Sequence, residues 1–90
     1  MPDREGSAVH KKLYRIYYTT YYDSEHEEVK RKLKEKYGVE PADIKSSVLP
    51  EFRFLELPIA KGGLEKEISE LVSSIIGSKY VKVDWIDTGV

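Results

Sequence analysis

Cysteine is absent from this 90-residue chain, and so are asparagine and glutamine. Without thiols there is no disulfide framework and no thiolate metal site, and the chain reads as cytoplasmic. The missing amides, beside plentiful Lys, Glu, Tyr and Ile, match the depletion of thermolabile side chains in hyperthermophile proteins, so a thermophilic, archaeal-type source is expected. No apolar run approaches the ~20 residues that span a bilayer, and the N-terminus lacks the apolar core of a secretory signal. A soluble protein with no membrane partner follows. The 15 basic and 16 acidic residues leave a formal net charge of −1, which provides no global positive field for nucleic acid. So short a chain buries a modest core and has little room for a large enclosed active site.

What is present is strongly patterned. Residues 1–11 are polar, with Pro2, Gly6 and Ser7 and no apolar periodicity, and are expected to form a disordered N-terminal tail. With no internal composition break, 12–90 is read as a single α+β domain. Residues 13–22 are almost all aromatic or β-branched, the composition of a central strand. Alternation puts Tyr14, Ile16, Tyr18, Thr20 and Tyr22 in one row and Leu13, Arg15, Tyr17, Thr19 and Tyr21 in the other.

Ser24 and Glu27 have the spacing of a capping box, so a helix is expected to start there and to end at Gly38, where a left-handed residue is tolerated. Its thin apolar stripe is His26, Val29, Leu33 and Tyr37. Glu27 with Arg31 and Glu28 with Lys32 stand at i, i+4 on the solvent side. Val39 to Asp43, with Pro41, reads as a turn. Residues 44–49 and 52–59 read as strands joined by a tight turn at Pro50-Glu51, although one long bent strand fits nearly as well because no Asn-Gly type signal is present. Gly62-Gly63 opens a second helix whose Leu64, Ile68, Leu71, Val72, Ile75 and Ile76 form a broad apolar stripe ending at Gly77. Residues 80–86 alternate as a last half-buried strand.

The order βαββαβ, with too few helices to cover both sides of a sheet, predicts a two-layer ferredoxin-like α+β fold. Four antiparallel strands would carry two helices on one face. The other face is open. With Tyr14, Ile16, Tyr18, Leu55, Leu57, Ile59, Val81, Val83 and Trp85 turned to the helices, the open face is expected to carry Arg15, Tyr17, Tyr21, Phe52, Phe54, Tyr80 and Lys82. Were the faces reversed, both phenylalanines would be core.

Residues 51–57, Glu-Phe-Arg-Phe-Leu-Glu-Leu, resemble the aromatic third strand of RNA-recognition motif domains. That resemblance implies base stacking on Phe52, Phe54 and Tyr17, although Glu51 stands where that family has glycine and Arg53 where it has a small residue. Tyr22-Asp23-Ser24, followed by a basic helix and Tyr37-Gly38, is similar in outline to the small nucleases of CRISPR adaptation. This second likeness implies a metal held by Asp23 across a dimer axis.

Read from the residues alone, the same aromatics suit a homodimer or partner interface, and the charge balance favours protein over nucleic acid. His10 and His26 have no second metal-binding neighbour, and no nucleophile–His–acid set stands at a recognisable spacing. The expectation is therefore a small non-enzymatic interaction, assembly or regulatory module, with no cofactor, that dimerises or docks on a protein through the open sheet face or an edge strand. An RNA or single-stranded DNA binder on the same aromatics, with Arg15, Arg53 and Lys82, is the alternative, and a metal-dependent nuclease using Asp23 the third.

Overall fold

A computed structural model describes residues 12–46 and 48–87; the tail expected over 1–11 lies outside them. Six elements follow one another: β1 Lys12–Thr19, α1 Asp23–Tyr37, β2 Ala42–Lys45, β3 Phe52–Leu57, α2 Glu65–Ile76 and β4 Lys82–Asp87. The strands form one sheet in the order β2-β3-β1-β4, with every neighbouring pair antiparallel. This is the ferredoxin-like α+β arrangement that the element order predicts.

One side of the sheet carries the core. Tyr14, Ile16 and Tyr18 of β1 and Leu55 and Leu57 of β3 pack with Val29 and Leu33 of α1 and Ile68 and Val72 of α2, all of them buried. Burying each such side chain is worth about 1.5 to 3 kcal/mol, which explains why the period-2 and period-3.6 patterns lock together. Both helices stop at a glycine in the left-handed region, Gly38 at φ 73° and Gly77 at φ 70°, whose amides donate back to Lys34 and Ser73. Trp85 sits on the helix side of β4, its ring stacked on Tyr14 at 6.0 Å. It lies so close to Gly62 that a Cβ there would stand 2.8 Å from the indole.

The local start of α1 differs from the sequence expectation. The residue before the helix is Tyr22, with no side-chain cap, so Ser24 and Glu27 do not form a capping box. Thr20 instead ties the connection that leads into the helix. Its hydroxyl accepts the Tyr22 amide at 3.2 Å and donates to the Glu25 carboxylate. The solvent-side ion pairs differ too. Arg31 uses its two-pronged guanidinium on Glu28 and Glu35, while Lys30 joins Glu27 and reaches across to Asp43.

The hairpin forms, but β2 begins and ends earlier than expected. The Ser46 hydroxyl oxygen accepts the amides of Val48 and Leu49, which takes the chain out of the ladder. The Phe52 amide then closes the turn on the Leu49 carbonyl at 3.1 Å.

Candidate interaction surface

Antiparallel register aligns side chains across the uncovered side. Ile44, Phe54, Tyr17 and Lys82 stand in one line over four strands, with Glu56, Arg15 and Asp84 in a second. Phe52 and Phe54 are thus outward, not core. Tyr17 and Phe54 meet edge to face with ring centroids 5.3 Å apart, and the Lys82 ammonium lies 5.6 Å from the Tyr17 centroid. Beside them Arg15 holds Glu56 at 2.8 Å, and Lys82 approaches Asp84 at 3.6 Å. The centre is aromatic and the charges around it are matched.

Of the seven residues expected on this face, Arg15, Tyr17, Phe52, Phe54 and Lys82 lie on its strands. Tyr80 precedes β4 and joins Tyr17, Phe52, Phe54, Lys79 and Lys82 around a shallow depression of about 500 Å³. Tyr21 does not belong to the row. The strand ends at Thr19, the Thr20 amide pairs with the Glu51 carbonyl, and Tyr21 stands in the connection, largely exposed. Arg53, named with Arg15 and Lys82 in the nucleic-acid reading, points to the helix side. There it donates to the Thr20 carbonyl and to Asp23 at 2.9 Å.

That pairing engages one oxygen of the exposed Asp23 carboxylate, the group to which the nuclease likeness gives a metal. Among the described residues no group of three or more His, Asp or Glu side chains gathers to hold one.

The feature that sequence reasoning missed is a polar chain, buried at Tyr18 and His26 and reaching solvent at Asp43. The Tyr18 hydroxyl and His26 Nδ1 stand 2.6 Å apart, and His26 Nε2 meets Asp43 at 2.9 Å. Neutral imidazole satisfies both when Nε2–H donates to the carboxylate. The helical stripe points His26 inward, but that its second partner comes from β2 is a matter of tertiary placement. Burial, and then the nearby Asp43 charge, pushes the Tyr18 phenol up. Burial also works to raise Asp43, yet the hydrogen bonds from His26 and Lys30 outweigh it and hold that carboxyl below its ordinary 3.8.

A depressed folded-state pKa means stability that is complete above the carboxylate range of the unfolded chain and is lost as pH falls through the lower folded value. Glu28 and Glu67 are held down in the same sense by Arg31 and Tyr37, so only a comparison isolates Asp43. Urea midpoints taken between about pH 5 and pH 2 should fall less steeply in Asp43→Asn than in wild type. Parallel curves would contradict the pairing.

Comparison with protein-family models, curated proteins and solved structures finds no significant match. The class defined by the geometry is therefore the fold itself, a two-layer α+β domain with one aromatic sheet face that no helix or strand among the described residues covers. No helix among the described residues is long and apolar enough to cross a membrane.

Proposed function

We propose that this protein is a small interaction module, of the assembly or regulatory kind, that docks on protein through the open face of its sheet. The observation that carries this reading is the Tyr17–Phe54 pair at the middle of an uncovered face, bordered by the closed Arg15–Glu56 ion pair. An apolar aromatic centre within matched charges is the anatomy of a protein interface. Cytoplasmic residence and a thermophilic source are proposed on composition alone.

One observation favours a second reading. The depression beside Tyr17 is lined by aromatic residues, Tyr17, Phe52, Phe54 and Tyr80 among them, with Lys79 and Lys82 and by no carboxylate, a setting suited to the bases and phosphates of single-stranded nucleic acid.

Sedimentation of the full chain, together with anisotropy against single-stranded RNA and DNA over a salt series, separates the two. Self-association without salt-dependent nucleic-acid binding supports the interaction module. Tyr17→Ala and Phe54→Ala should then weaken it by about 30-fold each, the loss of a central aromatic anchor worth ~2 kcal/mol. A monomer whose salt-dependent RNA or DNA binding disappears in those variants overturns the first reading and supports the second.

A further inference from the structure

Exposed apolar side chains are unevenly distributed over the molecule. Of the eight large ones exposed among the described residues, Tyr21, Tyr22, Val48, Leu49, Phe52 and Tyr80 all belong to one end of the sheet. There β1 leaves, β3 and β4 enter, and the β2–β3 turn projects. The pairing of Thr19 with Phe52 and of the Thr20 amide with Glu51 brings these loops together. So concentrated a patch marks a contact surface.

Two features within it differ in form. The turn 48–51 is a projecting knob tied by hydrogen bonds: Ser46 accepts the Val48 and Leu49 amides, the Leu49 carbonyl is closed by Phe52, and Val48 is 76% exposed. Glu51 follows, with no ion-pair partner among the described residues. The depression of about 500 Å³ is the matching hollow, walled by Tyr17, Phe52, Phe54 and Tyr80 and edged by Lys79 and Lys82. Lys79 likewise has no ion-pair partner among the described residues. Apolar knob with acid and apolar hollow with base are side by side on one chain, because Phe52 ends the first and walls the second.

Resting on the sheet face being a docking surface, we propose that its occupant is a second copy of this chain. The two copies are related by a twofold axis between knob and hollow. Val48 and Leu49 of each copy enter the hollow of the other, and Glu51 of each meets Lys79 of the other. A twofold operation satisfies both contacts at once, as an isologous interface requires. Because the knob is held before contact, little conformational freedom is lost on docking. A nucleic-acid strand would fill the hollow but leave the knob and Glu51 without a role.

The test is sedimentation equilibrium of the full chain at micromolar concentration, with circular dichroism confirming the fold of each variant. Wild type should be a dimer. Glu51→Lys and Lys79→Glu should each raise the dissociation constant about tenfold or more, since each places like charges together twice. An equimolar mixture of the two variants should dimerise as wild type does, because both contacts are then opposite in sign. Leu49→Asp should be monomeric.

A wild-type monomer overturns the proposal, and so does a dimer indifferent to these changes. If the indifferent dimer is still lost in Tyr17→Ala, the sheet face remains the docking surface and only this mode of docking fails. If the charge variants break a dimer that Tyr17→Ala and Phe54→Ala leave intact, the sheet-face reading on which the proposal rests is overturned instead.

Discussion

His26→Ala should cost about 3 to 4 kcal/mol, a large part of the ~5 to 10 kcal/mol that holds a small domain together. The imidazole is almost fully buried, and its removal does two things. It leaves a cavity under the first turn of α1, and it strands the hydroxyl of Tyr18, itself buried. A buried donor without an acceptor costs roughly 1 to 3 kcal/mol, and the cavity adds to that.

Asp43 is hurt less, because Lys30 stays 3.1 Å away and solvent reaches the carboxylate. Asp43→Asn should therefore cost about 1 kcal/mol. Thermal unfolding should show His26→Ala melting about 15 to 25 °C below wild type, on the scaling of 4 to 8 °C per kcal/mol for domains of this size. Pairing it with Tyr18→Phe should recover part of the loss, because the stranded hydroxyl is then gone. A drop of less than ~1 kcal/mol in the single variant would show that the chain from Tyr18 to Asp43 does not hold the helix to the sheet.

Tyr14→Ala should be at least as damaging, at about 4 to 5 kcal/mol. Tyr14 has no exposed surface, its ring stacks on Trp85, and its hydroxyl lies at the entry to α2. There it donates to the Lys61 carbonyl and accepts the Leu64 amide at 3.2 Å, one of the otherwise orphaned groups at that end of the helix.

Tyr14→Phe removes only the two hydrogen bonds, and since Lys61 is exposed its carbonyl can turn to water. That variant should lose about 1 to 2 kcal/mol. Trp85 is the only tryptophan in the chain, so its fluorescence reads the packing directly. Emission should shift to the red in Tyr14→Ala and stay close to wild type in Tyr14→Phe. Equal urea midpoints for Tyr14→Phe and wild type would mean that the hydroxyl does not anchor the helix entry.

Much of this architecture is legible in local patterns. The alternation of Tyr14, Ile16 and Tyr18, the apolar stripe of α2 and the glycines at 38 and 77 each report a short-range rule: side-chain period, helix face or the left-handed end. Both inward rows of the central strands could be assigned because one-residue slips would bury Arg15 and Glu56. Where the reading went astray, a distant residue had intervened. Ser24 makes no cap, and the entry to α1 is tied by Thr20, whose own position is held by Glu51 across the sheet. Arg53 turns to Asp23 because its strand neighbour Tyr18 faces the helices. Tyr21 leaves the row because the ladder stops where the β2–β3 turn takes over the Thr20 amide.

The sequence by itself determined the element order, the core-facing rows and the outward placement of Tyr17, Phe52 and Phe54, because burial selects one phase of each period and the chain displays that phase openly. Tertiary structure alone decided that Asp43 completes the His26 pairing and that Val48, Leu49, Tyr21, Tyr22 and Tyr80 gather at one end. Those groupings depend on which strands become neighbours and where their ladders end, and contacts between residues far apart along the chain leave no periodic mark in it.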